Sequence, residues 1–299
     1  MNTHKLSFAI IGLGRVGTAL YQILVNKGHQ ISGLFDSNPA QTNNIAPIST
    51  NTISNHLSDL AATDIIIISV PDDNVKQVVA DLEKIFRQKK LSNYIYHTSG
   101  ALSSDIFNPV RKYNVYCASL HPVQTFSGDA TDFHKLENIF FDMEGEKQAI
   151  KKAKEFVKTF NSDIITIEKK LKPVYHLACT MASNYLNTLL FCVLDILKFM
   201  NLSEKESLEI LKPLLSTTLQ NILENGVDKT LTGPISRGDV GTVEKHLAIL
   251  NDKFTPYSQL YKELGKIGLK YNSVLKNVST SDMESLRTLL KDKDFKHDE

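Results

Sequence analysis

The stretch Phe8-Ala-Ile-Ile-Gly12-Leu-Gly14-Arg-Val-Gly17-Thr-Ala-Leu20 decides the fold. An apolar run from Leu6 to Ile11 enters Gly12-x-Gly14-x-x-Gly17, and Val16, Ala19, Leu20, Ile23 and Leu24 then recur at helical spacing. Strand, tight turn and helix in that order form the context in which a glycine pattern has physical meaning. Gly12 is expected to make the turn, Gly14 to let backbone approach a pyrophosphate, and Gly17 to pack helix on strand. Leu13, Arg15 and Val16 complete the loop, whose first free N–H groups and positive helix end would face the phosphates. A second strand, Gln30 to Phe35, ends at Asp36, nineteen residues after Gly17, where an acid would bond a ribose 2′-hydroxyl. A carboxylate there repels a 2′-phosphate, so Asp36 favours NAD over NADP. Ser37 and Asn38 beside it can hydrogen-bond either dinucleotide. The bland alternative is a glycine-rich turn that binds nothing.

The chain has 299 residues, more than one typical domain, with 42% hydrophobic and 22% charged residues. Its net charge of +1 offers no electrostatic footprint for nucleic acid. Three cysteines, Cys117, Cys179 and Cys192, match no metal spacing and no disulfide framework, so no metal site is expected and a reducing cytoplasm is. Strand one follows the N-terminus so closely that no signal peptide is expected. The most apolar segment, Leu186 to Met200, carries Asn187, Asp195 and Lys198 and reads as too short for a bilayer, so no membrane is expected either.

Up to about residue 168 strands and helices alternate. Asp64-Ile-Ile-Ile-Ile-Ser-Val70 is a continuous apolar run, as for a strand buried on both faces of a parallel sheet. Further strands are read at Asn93 to His97, Asn114 to Leu120, Asn138 to Met143 and Ser162 to Glu168, with a helix from Glu146 to Phe160. The polar stretch Asn38 to Asn55 shows little periodicity. The class is α/β, a doubly wound Rossmann-type parallel sheet over residues 1–168. Residues 169–299 read as all-helical. One helix starts at Lys172-Pro173 and runs towards Met200, a second spans Ser203 to Asn225 with Pro213 inside and Gly226 after it. Others follow at Val240 to Leu250, capped by Asp239, from Pro256 to about Lys270, and after a Ser281 cap, before a charged tail from Lys291.

Ligands of such sheets lie beyond the carboxyl ends of the strands. Three loops leave those ends: Pro71-Asp72-Asp73, His97-Thr98-Ser99-Gly100, and Ser119-Leu120-His121-Pro122. Val70, Pro71, Asp72, Ser99 and Gly100 are cofactor candidates, although Asp72 and Asp73 serve equally as first-turn acids of a helix. His121 can give or take a proton near neutrality, or be a satisfied structural histidine. On the helix from Pro173, His176, Thr180, Ser183 and Asn187 fall within roughly a 60° arc at 100° per residue, with Asn184 at its edge. This stripe faces substrate or, alternatively, bonds neighbouring loops. Arg237, flanked by glycines and followed by Asp239 and His246, either clamps a substrate carboxylate or pairs structurally with Asp239.

Taken together, Gly12-x-Gly14-x-x-Gly17, Val70-Pro71-Asp72-Asp73, His97-x-Ser99-Gly100, Leu120-His121-Pro122-x-Gln124-Thr125-Phe126, Tyr175-His176 with Ser183-Asn184, and Leu231-Thr-Gly-Pro-x-x-Arg237-Gly238-Asp239 with His246-Leu247 resemble one family. It joins a Rossmann-like NAD(P)-binding domain to a helical C-terminal domain of unknown function. It is similar in turn to the superfamily of 6-phosphogluconate dehydrogenase, β-hydroxyacid dehydrogenase and pyrroline-carboxylate reductase. The resemblance implies a helical domain of the 6-phosphogluconate dehydrogenase type that forms homodimers, with a small-molecule site between the domains. Two departures stand out. Relatives carry an arginine-serine pair after the second strand where this chain has Asp36-Ser37. Hydroxyacid dehydrogenases place a catalytic lysine on the first long helix, where this chain has His176 with Lys172 one turn earlier.

Two functions are compatible with these residues. One is an NAD(P)-dependent oxidoreductase acting on a small carbonyl, hydroxyl or imine acid, with His121, His176 and Arg237 as catalytic candidates and Thr180, Ser183, Asn184 and Asp239 near the substrate. The other is a non-catalytic dinucleotide sensor or protein-interaction module.

Overall fold

The computed structural model describes residues 5–43, 53–54, 56–60, 62–270 and 278–291. Most of the polar stretch from Asn38 to Asn55, and the tail after Lys291, lie outside these residues. The chain divides into two compact units, Met1–Tyr185 and Leu186–Glu299.

The first unit is built on a seven-stranded sheet in the order β2-β1-β3-β4-β5-β6-β7. The strands are β1 (Ser7–Ile11), β2 (Gln30–Phe35), β3 (Ile65–Ile68), β4 (Tyr94–His97), β5 (Tyr116–Pro122), β6 (Phe140–Gly145) and β7 (Asp163–Thr166). Its helices are α1 (Arg15–Asn26), α2 (Pro39–Asn43), α3 (Asp72–Phe86), α4 (Asn108–Arg111), α5 (Lys147–Val157) and α6 (Lys172–Thr180). The sheet is α/β and mostly parallel, with its switch point between β1 and β3.

The expectation of a fully parallel sheet is corrected at one place, because β5 and β6 run antiparallel. A parallel return needs a crossover, usually a helix laid on the sheet. Between these strands lies only a short 3-10 turn, Asp132–Leu136, which packs on α1, so the chain turns back beside β5. That reversal later proves decisive for the site.

Strand residues alternate between two apolar faces. Phe8, Ile10, Ile67, Tyr96 and Phe141 pack with Leu20 and Ile23 of α1 and Phe156 of α5. Ile11, Ile66, Ile68, Ile95 and Cys117 pack with Val75, Val79 and Leu82 of α3. Each such fully buried aliphatic or aromatic side chain contributes roughly 1.5–3 kcal/mol relative to exposure.

The helical residues continue from α6 through a π-turn, Met181–Tyr185, into α7 (Leu186–Lys198). The run Lys169–Lys198 is long and apolar enough, by length and composition, to cross a membrane, with a mean hydropathy of 1.4 over its most apolar 18 residues. The segment read as Leu186 to Met200 is therefore the second half of a longer helix.

The second unit continues with α8 (Glu204–Asn225), α9 (Val227–Thr230), α10 (Pro234–Arg237), α11 (Val240–Lys253), α12 (Thr255–Gly268) and α13 (Thr280–Leu289). Ser203 and Glu206 form a capping box at the start of α8, and Gly226, at φ 83°, ends it. Asp239 caps α11 as read. The cap of α13 is Ser279 rather than Ser281: the Ser279 hydroxyl accepts the Asp282 N–H at 3.0 Å, which places Ser281 inside the first turn. Val243, Leu247, Leu269, Leu286 and Leu290 form a small core.

Candidate functional site

The glycine turn meets a structural requirement at each glycine. Gly12 adopts φ +91°, and a Cβ there would overlap the Ser69 carbonyl. A Cβ on Gly17 would overlap the Gly12 carbonyl oxygen, so α1 can pack on β1 only through hydrogen at this position. Gly14 differs, since a Cβ there would meet nothing within 4 Å. The space above Gly14 is open, next to the N-terminus of the twelve-residue α1, which is the arrangement that admits a pyrophosphate.

A cavity of about 550 Å³ opens beside this turn, lined by Gly12, Gly14, Asp36, Ser37, Val70 and Pro71, and by Asn74, Gln77 and Asp81 of α3. Asp36 stands at its rim. Its Oδ2 accepts the Leu13 N–H at 2.6 Å, and its Oδ1 accepts the Asn38 N–H at 2.8 Å. Leu13 is therefore a structural link between β1 and β2, with its side chain buried and its N–H held by Asp36. Each Asp36 oxygen keeps a second lone pair for a ribose hydroxyl. Arg15, exposed at the first position of α1, reaches the carbonyl of Phe126 at 3.5 Å and faces a separate cavity with Gly128 and Asp129. Asp72, exposed in the first turn of α3, does not line the larger cavity, and the helix-start reading accounts for it.

A second group lies at the carboxyl ends of β4 and β5. The side of the sheet that carries Ile95 and Cys117 turns polar at its end, with His97 in register with Ser119 and His121 two residues further along β5. Antiparallel β6 brings Asp142 opposite His121 and Glu144 opposite Ser119. His121 Nδ1 lies 2.5 Å from Asp142 Oδ2, and Lys172 Nζ lies 3.1 Å from Asp142 Oδ1. The side chains of Asp142 and Lys172 are each 1% exposed, while that of His121 is 20% exposed.

Gly100 and His176 complete this cluster. A Cβ on Gly100 would lie 3.0 Å from His121 Nε2 and 2.5 Å from His176 Nδ1, so only glycine fits between the rings. The two imidazoles meet edge to face at 5.9 Å between centroids, and the buried His176 Nδ1 has no hydrogen-bond partner among the described residues. The Gly100 loop is anchored where Glu144 accepts the Ser104 N–H and hydroxyl at 2.7 and 2.8 Å. The Ser99 hydroxyl accepts the Ala101 and Leu102 N–H groups and so shapes this loop. His97 is fully buried against Phe107. Burial, reinforced by the nearby Lys172 charge, lowers its pKa to about 3 and keeps it neutral.

Lys172, His176, Thr180 and Ser183 mark the less exposed side of the helical run, and Asn184 is exposed. The single arc drawn through His176, Thr180, Ser183 and Asn187 assumed regular α geometry. The π-turn at Met181–Tyr185 changes the phase, so Asn187 does not continue that stripe. In the helical unit, Asp239 uses both carboxylate oxygens on Thr242, at 3.0 Å to its N–H and 2.8 Å to its hydroxyl. It is a helix cap. Arg237 is exposed and lies within 4 Å of no carboxylate among the described residues. His246 Nδ1 is held 2.9 Å from the Tyr261 hydroxyl.

Sequence reasoning passed over Asp142 and over Lys172 as its partner, and quoted His97 only as part of a loop and a motif. Alternation along each strand shows that residues 117, 119 and 121 share a face, but only the β5–β6 reversal shows which carboxylate faces His121. Among the described residues no group of three or more metal-ligating side chains could hold a metal ion.

Residues 1–122 match a Rossmann-like domain, and residues 139–267 match DUF2520, a domain of unknown function. No curated protein sequence shows significant similarity to the chain. Among solved structures, a nominal NADP oxidoreductase from Bacteroides fragilis superposes with a TM-score of 0.72 at 21% identity, covering 91% of this chain and 99% of that one. A pyrroline carboxylate reductase from Plasmodium falciparum with NADP bound gives 0.57 at 14% identity over 97% of this chain and 100% of its own. An imine reductase from Myxococcus stipitatus in complex with NADP+ gives 0.61 at 14% identity over 95% and 100%. At these identities the likeness speaks to the fold. Along the chain a match to a Rossmann-like domain is thus followed by a match to DUF2520, the two parts that its motifs resemble.

Proposed function

We propose that this chain is an NAD(P)-dependent oxidoreductase that prefers NADH and acts at a carbonyl, hydroxyl or imine carbon of a small acid. The observation that carries this reading is a juxtaposition on one sheet edge. A glycine turn open above Gly14 and bordered by Asp36 lies at the ends of β1 and β2, and an accessible imidazole, His121, lies at the end of β5. The fold neighbours named for NADP oxidoreduction, imine reduction and pyrroline carboxylate reduction support the reaction class.

Gly12 to Gly17 with Arg15 and Val16 would bind the pyrophosphate through backbone N–H groups, and Asp36 and Ser37 the adenosine ribose. A nicotinamide cofactor so held supplies or takes up hydride. The NADH preference rests on charge: Asp36 and Asp81 line the cavity, and no lysine or arginine does among the described residues. His121 holds the proton that a reduced carbonyl or imine acquires, and His176 orients the substrate from α6.

We also propose that the chain pairs with a second copy of itself. Val174, Leu177, Met181 and Tyr185 are 62%, 55%, 56% and 58% exposed at three- and four-residue spacing. The opposite side of this helix is held to the sheet unit through Lys172 on Asp142, which argues for a protein surface rather than a membrane span. Light scattering of the pure protein would show a dimer; a monomer at micromolar concentration would refute the pairing.

The central test is calorimetric titration with NADH and NADPH, followed by a screen of cyclic imines, keto acids and hydroxy acids. NADH should bind at least about tenfold tighter, which is about 1.4 kcal/mol. Asp36→Ser should narrow that ratio. Binding of neither dinucleotide would end the oxidoreductase reading.

A further inference from the structure

We infer that Asp142 and Lys172 fix which nitrogen of His121 carries the exchangeable proton: Nδ1 keeps its hydrogen, and Nε2 is the nitrogen that gives or takes a proton. Both are positioning residues, since neither lies open to a substrate. The inference rests on the oxidoreductase reading for its role, although the arrangement itself is a property of the folded chain.

Three observations support it. Asp142 Oδ2 is 2.5 Å from His121 Nδ1, and a carboxylate can only accept, so Nδ1 must donate. Asp142 is 1% exposed, and its other oxygen lies 3.1 Å from Lys172 Nζ, which supplies the positive charge that so deeply buried a carboxylate requires. Finally, the side of Nε2 is left uncovered by Gly100, where any side chain would press within 3.0 Å of that nitrogen. The charged and titratable groups around the ring are Asp142 on β6, Lys172 and His176 on α6, and buried His97 on β4.

This assignment separates the chain from the lysine-dependent pattern of the hydroxyacid dehydrogenases. Lys172 stands near the position where a catalytic lysine would be sought, yet its ammonium is buried on Asp142. The proton role passes to the histidine that Asp142 orients, as an ionised partner fixes the tautomer of an imidazole in other histidine–carboxylate pairs.

The test is long-range ¹H–¹⁵N NMR of the full-length chain labelled at its nine histidines, with His121 assigned by the loss of its signals in His121→Gln. At alkaline pH, where the ring is neutral, Nδ1 should be protonated and Nε2 bare. The reverse tautomer in the unmodified protein overturns the inference. Asp142→Asn provides a second arm. Lys172 would attract the new amide oxygen, turn the NH₂ group towards Nδ1, and force the proton onto Nε2. An unchanged tautomer in that variant removes Lys172 from the arrangement, and if the variant does not fold, the spectrum of the unmodified protein decides alone. NADH titration of the same unmodified sample is read separately. Absence of binding overturns the oxidoreductase reading and the proton role with it, whereas a wrong tautomer with NADH bound overturns only the Asp142–Lys172 device.

Discussion

The two halves of the sheet's carboxyl edge are built on different principles. At β1 and β2 the working parts are backbone: glycines that permit close approach, a helix start, and one carboxylate at the rim. At β4, β5 and β6 they are side chains, in which His121, Asp142 and Lys172 share two buried polar contacts and His176 closes in across Gly100. The backbone half draws its glycine motif from six consecutive residues, Gly12 to Gly17, although Ser69 and Asp36 crowd or bond them. The side-chain group depends on residues up to 76 positions apart, from Gly100 to His176, and on the reversal of one strand. A site of the first kind tolerates sequence drift outside its motif. A site of the second kind is lost when any one partner is removed.

That contrast can be broken experimentally, most forcefully at Lys172. Lys172→Met leaves Asp142 buried beside His121 without its cation and should destabilise the fold by about 3–5 kcal/mol in urea denaturation. Lys172→Met with Asp142→Leu should recover much of this, because the pair is replaced by apolar volume. If the single variant is as stable as the parent, the side-chain half is not an interdependent unit.

The next effect is a pH dependence carried by His97. Its pKa is about 3 in the folded chain against the ordinary 6.5, principally through burial. Between those values the unfolded chain binds more protons, so stability is fully present above about pH 6.5 and falls as pH drops towards 3, by at most about 1.4 kcal/mol per unit. His97→Leu should flatten the slope of unfolding free energy in that window. The same slope in the variant would place the titration elsewhere.

The glycines sharpen the comparison from the backbone side. Gly17→Ala drives a methyl group into the Gly12 carbonyl and should cost roughly 1–3 kcal/mol of stability as well as dinucleotide affinity. Gly14→Ala meets nothing within 4 Å and should change stability by less than about 0.5 kcal/mol while still weakening NADH binding. A Gly14→Ala protein that binds NADH as tightly as its parent would show that the open space above the turn is not where the pyrophosphate sits.

Local patterns carried most of the architecture into the sequence. The apolar run Asp64 to Val70, the glycine turn, the Asp239 cap and Gly226 after α8 each act over a handful of residues, and the structure places them as their local chemistry requires. Asp36 at the cavity rim follows from the same reasoning, because strand length and the turn determine where an acid after β2 must stand. The misreadings have one cause in common. Ser281 in place of Ser279, a fully parallel sheet, and a helix face drawn through the π-turn each extrapolated a regular pattern past a point where the chain changed phase.

What the amino-acid order determined by itself is therefore the α/β class, the glycine turn and the acid that follows β2, and the change to helices in the second half. All of these rest on periodicity and on short-range sterics. Only the tertiary structure decided that Asp142 faces His121, that Lys172 is a buried counter-ion, and that Gly100 and His176 meet at the same ring. Pairing across an antiparallel register and burial of a charge have no local signature, because both arise when segments distant in sequence share one low-dielectric space.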